Sequence, residues 1–335
     1  MPSTDTSLSA PNPVLRLDVL QAPIAAELKA FDRYFREAMR TSVRLLDLIL
    51  QYVLRQKGKR IRPMLVLLSA KACGRITPST YYAAALVELL HTATLIHDDV
   101  VDASDLRRGW FSVRALWKSK IAVLVGDFLL ARGLLLALEN REFRLLELLS
   151  DAVRRMSEGE LLQLERSRSL EADESTYYRI IADKTGSLFA ASMACGAASA
   201  TDDPKRIERF RRAGELLGMA FQIRDDLLDF DIRAGKPRGN DLREHKLTLP
   251  LIHALRQAPQ EERRIILSLL RRGPRRTGEL ERIIAFAHAY GGVSYAVHRM
   301  RFFAQQALEL LADLPPNPAQ EALLRLVRFI TERDH

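Results

Sequence analysis

Two runs of aspartate repeat one spacing. Asp98, Asp99 and Asp102 close the stretch HTATLIHDDVVD that begins at His91, and Asp225, Asp226 and Asp229 close FQIRDDLLD, which begins at Phe221. In each run the carboxylates sit at i, i+1 and i+4 at the end of an apolar segment with helical periodicity. On a helix, residues four apart share a face and the next residue lies about 100° round. Carboxylates crowded into one turn repel each other by roughly a few tenths of a kcal/mol per pair, a cost that a bound cation cancels. Oxygen donors without His or Cys favour a hard ion. Mg2+ takes one or two carboxylates and completes its shell with water and phosphate oxygens. A solvated acidic helix end explains either run alone, but two copies point to a pair of helix ends holding Mg2+ around a diphosphate.

Positive charge lies where such an anion needs it. The segment Lys57-Gly58-Lys59-Arg60-Ile61-Arg62-Pro63 places Lys59, Arg60 and Arg62 on a short turn before a helix, and Arg107-Arg108-Gly109 follows the first acidic run. Lys184-Thr185-Gly186 falls inside an apolar helical stretch, where an ammonium without an anion is costly. Lys236 and Lys246 follow the second acidic run. Singly these read as solvated surface charges; beside two acidic clusters they form a set.

The elements that must position these groups are helices. Of 335 residues 47% are hydrophobic and 28% charged, which supports a large core and excludes disorder as the main theme. Apolar residues recur at helical spacing throughout, as in Leu86, Leu89, Leu90, Ala93 and Ile96, and no convincing alternating strand is found. Breaks at Gly58, 74–78, 107–110, 140–143, 169–175, 201–205, 235–240 and 273–278 predict an all-α, single-domain helical bundle of about a dozen helices over residues 15–335. Residues 1–14, rich in Ser, Thr, Pro and Ala, read as a flexible tail. Thr77-Pro78 and Asp203-Pro204 read as capped helix starts. Cys73 and Cys195 have no metal or redox spacing and read as reduced core residues, so a cytoplasmic location is expected. The most apolar stretch, 121–138, carries Asp127 and Arg132, and no membrane-crossing helix is expected. The net charge of +9 is scattered through amphipathic helices without a nucleic-acid motif. It suits anionic small ligands, or peripheral contact with an anionic membrane, and no nucleic-acid partner is expected.

From about Gln56 to Leu255 these segments resemble the trans-isoprenyl diphosphate synthase (polyprenyl synthetase) family: the basic turn at 57–63, both Asp-rich motifs, Arg107-Arg108-Gly109, Lys184-Thr185, Phe221-Gln222 and Leu247-Thr248-Leu249-Pro250 occur in the family's order. The resemblance implies an isoprenoid-synthase bundle around a central cavity, homodimeric, that condenses isopentenyl diphosphate head to tail with an allylic diphosphate. It implies Mg2+, three ions with substrate bound, held by Asp98, Asp102 and Asp225 with support from Asp99, Asp226 and Asp229. Lys59, Arg62, His91 and Arg108 would hold isopentenyl diphosphate. Arg107, Lys184, Lys236 and Lys246 would clamp the allylic diphosphate, with Thr185 and Gln222 along the cation's path.

In the family, bulky aromatics four and five residues before the first Asp shorten the product; here those positions are Thr94 and Ala93, both small. A long-chain, octaprenyl-like branch serving quinone side chains is therefore expected, with a C20 geranylgeranyl synthase as the alternative. The tail would descend past Thr94, His91 or Leu90, Val87 and Ala84 toward a floor near Phe128 or Leu135. Departures from the pattern are Lys57 for the motif's first Gly, His245 for a Gly, a short link before Lys236, and few small residues over 110–120. A non-catalytic subunit would break an Asp motif, and none is broken. An HD-type phosphohydrolase, suggested by His97-Asp98, needs a further upstream His, and His91 lies off its face.

Overall fold

The computed structural model describes residues 17–332 apart from 57, 108, 170–172, 231–241, 243–245 and 275–276. The expected tail, Lys57, Arg108, Lys236 and His245 lie outside the described residues. The chain runs through α1 (Leu17–Gln21), α2 (Ala25–Ala38), α3 (Arg44–Arg55), α4 (Ile61–Cys73) and α5 (Pro78–Val101). A hairpin of β1 (Leu106–Arg107) and β2 (Trp110–Phe111) leads to α6 (Val113–Glu139), α7 (Phe143–Ser169) and α8 (Glu174–Ile181). A π-helical turn, Ala182–Gly186, joins α8 to α9 (Ser187–Ala198), followed by α10 (Pro204–Leu227) and a 3-10 turn, Leu228–Phe230. Then come α11 (Leu249–Gln257), α12 (Gln260–Arg272), α13 (Thr277–Ala289), α14 (Gly292–Ala312) and α15 (Pro318–Glu332). The all-α expectation holds.

The architecture is organised around α9. Its sequence SLFAASMACGAA is small and apolar on every side, and residues 187–197 are all buried, as a helix enclosed by other helices must be. Helices α4, α5, α7 and α10 pack against it. Small residues set the distance: a Cβ on Gly196 would lie 2.3 Å from the Val66 carbonyl oxygen of α4, and one on Gly214 of α10 would lie 2.6 Å from the Phe189 oxygen. Core residues such as Leu67, Phe189 and Phe210 are at most 1% exposed, each contributing roughly 1.5–3 kcal/mol of burial.

The helices that carry the acidic runs begin at the expected caps. Thr77 and Thr80 form a reciprocal capping box at the start of α5, and Asp203 accepts from the Lys205 and Arg206 amides at 3.0 and 3.4 Å at the start of α10. Both cysteines are free thiols; burial pushes Cys73 up to about 12 and raises Cys195 as well, so neither is poised to react.

Two details correct the sequence reading. Leu106 pairs with Phe111 and Arg107 with Trp110, across a connection where Gly109 takes φ +80°; two-residue strands are too short to show an alternating pattern. Asp127 and Arg132 do not break the apolar stretch: α6 spans 27 residues, with a local kink at Lys118, and is long and apolar enough by length and composition to cross a membrane. Its Ala122, Val125, Leu129 and Leu136 are buried, and α5 packs against it.

Candidate active site

The first acidic run ends α5. The Asp102 amide donates to the Asp98 carbonyl at 2.8 Å, closing the helix and leaving the Asp102 carboxylate exposed. Asp99 is 3% exposed, and Arg107 Nε donates to its Oδ1 at 2.7 Å. Burial raises the Asp99 carboxyl against the pull of that bond. Asp98 is half-buried, and burial pushes its carboxyl up to about 6, opposed by Lys184 and reinforced by Glu160.

The second run ends α10 and is satisfied differently. Asp226 is 3% exposed and accepts from Tyr177 Oη at 2.6 Å and Gln222 Nε2 at 2.9 Å. Gln222 Oε1 in turn accepts from Thr185 Oγ1 at 2.7 Å. Asp225 is exposed and Asp229 is buried in the 3-10 turn. Lys184 sits not in a regular helix but in the π-turn, a geometry that is rare and frequent at functional sites. Its ammonium pairs with the Glu160 carboxylate and donates to Gln163 Oε1 at 3.3 Å.

These groups surround two cavities. The larger, about 630 Å3, is bordered by Lys59, Arg62, His91, Arg107 and by one carboxylate from each acidic run, Asp99 and Asp225. Arg62 Nη1 donates to His91 Nε2 at 2.9 Å, which makes that ring nitrogen an acceptor. The guanidinium also lies 5.2 Å from the Phe189 ring centroid. Arg60, in a left-handed conformation at φ +52°, turns toward Asp32, Phe31 and Phe35 of α2. The smaller cavity, about 110 Å3, is bordered by Lys184, Thr185, Gln222, Asp226 and Lys246, joined by Arg166 and Tyr177. Arg107 therefore lies with the Lys59, Arg62 and His91 group rather than with Lys184 and Lys246. Tyr177, Glu160 and Gln163 escaped the sequence reading. Glu160 and Gln163 interrupt the apolar positions of α7 three apart, a signal that was there to find; Tyr177 meets Asp226 across 49 residues and left none.

A third cavity, about 250 Å3, is lined almost wholly by apolar groups, among them Leu86 and Leu90 of α5, Leu129 and Gly133 of α6, and Leu149 and Val153 of α7. Leu86, Leu90 and Ala93 share one face of α5. Leu90 of the expected path borders this space, whereas Val87 and Ala84 are fully buried and do not. Ala93 is fully buried, and half-buried Thr94 donates to the His91 carbonyl at 2.9 Å. Phe128 is partly buried, and Leu135 is 50% exposed and turned away from the interior.

Among the described residues no three His, Cys, Asp or Glu side chains are already gathered as a ligand cluster. The available donors are carboxylate oxygens on two helix ends that border one cavity. That set fits a hard cation that takes few protein ligands and fills its shell with water and phosphate oxygens.

A family model described as Polyprenyl synthetase matches residues 43–287. The all-trans-nonaprenyl-diphosphate synthase (geranyl-diphosphate specific) of Rhodobacter capsulatus is 39% identical over 320 residues, covering 94% of this chain and 97% of that protein. A decaprenyl diphosphate synthase structure from Rhodobacter capsulatus superposes with a TM-score of 0.90 at 35% identity, over 95% of this chain and 99% of the other. A polyprenyl synthase from Caulobacter crescentus, complexed with calcium and isoprenyl diphosphate, gives 0.88 at 35% identity, over 96% and 99%.

Proposed function

The chain belongs to the polyprenyl synthetase family, and from that premise we propose that it condenses isopentenyl diphosphate with an allylic diphosphate, head to tail, into a long all-trans polyprenyl diphosphate. The observation that carries this reading is the cavity bordered at once by Asp99, Asp225 and the cations Lys59, Arg62 and Arg107. Asp98, Asp102 and Asp225 would hold Mg2+, three ions with substrate bound, supported by Asp99, Asp226 and Asp229. Bound there, the ions supply charge neutralisation for the departing diphosphate.

The chain's own groups do the remaining work. Lys184 and Lys246, on the smaller cavity, clamp the allylic diphosphate, together with Lys236, and Arg108 joins the group that holds isopentenyl diphosphate; Arg108 and Lys236 lie outside the described residues and are assigned by their motifs alone. Lys59, Arg62 and His91 hold isopentenyl diphosphate so that its double bond faces the developing cation. Thr185 and Gln222, hydrogen-bonded to each other, keep the wall of the cation's path polar and ordered. No side-chain base is required, because the departing diphosphate can accept the proton. Fixed charge and positioning supply most of the rate.

The apolar cavity beside Leu86 and Leu90 supports a long product, since it offers a growing tail a dry path below the acidic end of α5. Membership beside nonaprenyl and decaprenyl synthases supports the same branch. The exposed apolar stripe of α6, Val123, Leu124, Leu134, Leu135 and Leu138, supports a homodimer. The unpaired thiols support a reducing cytoplasm. Exposed Leu106, Trp110 and Phe111 on a chain of net charge +9 support transient contact with anionic membrane.

The test is incubation with Mg2+, isopentenyl diphosphate and farnesyl diphosphate, followed by sizing of the dephosphorylated products. A ladder extending well beyond C20 is expected; a single C20 product would end the long-chain reading, and no Mg2+-dependent product with any allylic primer would end the catalytic one. Ala93→Phe is expected to shorten the ladder, and an unchanged ladder would remove the Ala93 face as the tail's path.

A further inference from the structure

Neither the acidic runs nor the basic motifs account for a buried ionic network on the far side of the Lys184 turn. Arg155 of α7, whose side chain is 18% exposed, donates from Nε to Asp183 Oδ1 at 2.8 Å and from Nη2 to Glu215 Oε1 at 2.7 Å. Asp183 belongs to the π-turn, immediately before Lys184; Glu215 belongs to α10, two turns before Gln222. The Glu215 side chain is 9% exposed, and its second oxygen accepts from Arg212 at 2.6 Å. Burial would raise the Glu215 carboxyl, yet the bonds from Arg155 and Arg212 hold it below its usual range.

The surrounding backbone is built for this bridge. A Cβ on Gly159 of α7 would lie 2.8 Å from the Lys184 amide nitrogen, and one on Gly218 of α10 would lie 2.7 Å from Gly186 Cα. The π-turn is thus wedged between two helices that approach it at glycines, and a single guanidinium ties it to both. A π-turn carries an extra residue in the helical ladder, so its register must be held. A planar fork with donors in fixed directions fixes it, which a flexible ammonium does not.

We propose that Arg155 is a positioning residue: by bridging Asp183 to Glu215 it sets the register of the π-turn, so that Lys184 and Thr185 present their side chains to the allylic diphosphate beside Gln222. The inference rests on the assignment of Lys184 and Thr185 to that substrate. It separates the two substrates, because Lys59, Arg62 and His91 border the other cavity and lie on elements the bridge does not touch.

Steady-state kinetics of Arg155→Lys and Glu215→Gln test it, with thermal melts to establish that each variant is folded. The expected signature is a rise of at least tenfold in KM for the allylic diphosphate with KM for isopentenyl diphosphate within twofold of the parent. Addition of guanidinium ion to Arg155→Ala, through the hollow of about 290 Å3 on which Arg155, Asp151 and Ser187 open, is expected to restore part of the loss. Unchanged KM values in folded variants, or both rising together, would overturn the proposal. Should Arg155→Lys not fold, Glu215→Gln decides alone. An inactive parent would mean that the functional reading has failed; the bridge is then judged by calorimetric binding of inorganic diphosphate, expected to weaken at least tenfold in the variants and, if unchanged, refuting it.

Discussion

The two acidic helix ends share a sequence pattern and differ in how the protein accommodates them. At the end of α5 the buried member, Asp99, is neutralised by a cation, Arg107 at 2.7 Å. At the end of α10 the buried member, Asp226, is held by neutral donors, Tyr177 at 2.6 Å and Gln222 at 2.9 Å. The leading aspartates differ too: Asp98 is half-buried with its carboxyl pushed up to about 6, whereas Asp225 is exposed. Identical spacing therefore does not make identical sites. The first end resists full negative charge until a cation arrives; the second links its buried carboxylate through Gln222 to Thr185, hence to the Lys184 turn.

Removing either leading carboxylate breaks what the two ends have in common. Asp98→Asn and Asp225→Asn are each expected to lower kcat by about 10^3-fold or more while leaving the helical fold intact, since each deletes charge that positions the ions. Near-normal turnover in one would reveal that a single end suffices. Removing the partners instead exposes the difference. Arg107→Met removes the cation bonded to the buried Asp99, leaving only the more distant pull of Arg114, and is expected to cost up to about 3 kcal/mol of folding stability. Tyr177→Phe deletes one neutral hydrogen bond to Asp226, with Gln222 still in place, and is expected to cost about 1 kcal/mol. Equal losses in chemical denaturation would erase the distinction between the two ends.

What was legible in the sequence was local. Asp at i, i+1 and i+4 and the caps at Thr77 and Asp203 are written within a few residues, and the structure places them as read; of the basic turn, Lys59 and Arg60 precede the helix, whereas α4 begins at Ile61 and takes Arg62 into its first turn. What escaped depends on packing between distant segments. Tyr177 reaches Asp226, and Arg155 reaches Glu215, across 49 and 60 residues, with no spacing rule to announce either. Arg107 was read as an allylic clamp from its motif, yet a strand pair too short for sequence detection sets it against Asp99. Helical geometry from Asp98 assigns the tail's path to Thr94, His91 or Leu90, Val87 and Ala84. Of these Leu90 borders the apolar cavity, whereas Val87 and Ala84 are fully buried and the space opens instead at Leu86, a turn of about 100° from Val87 that no single-helix argument resolves.

The smallest effect tests the contrast between the leading aspartates in the metal-free protein. The folded Asp98 carboxyl lies at about 6 against an ordinary value of 3.8 because burial disfavours its charged form. Below about pH 4 the group is neutral in both folded and unfolded chains, and its burial carries no ionic penalty. As pH rises from about 4 to about 6 the unfolded chain releases the proton first, so Asp98 makes folding progressively less favourable; above about 6 the penalty is constant. Two units correspond to an upper limit of roughly 3 kcal/mol, and screening at a partly open helix end reduces this to about 1 kcal/mol. Asp98→Asn is therefore expected to match the parent near pH 4 and to exceed it by about 1 kcal/mol at pH 7 in urea unfolding with chelator present. A variant whose stability parallels the parent's from pH 4 to pH 7 would mean that burial does not raise the Asp98 carboxyl, and that the half-buried carboxylate leading the α5 end is no costlier to ionise than an exposed one.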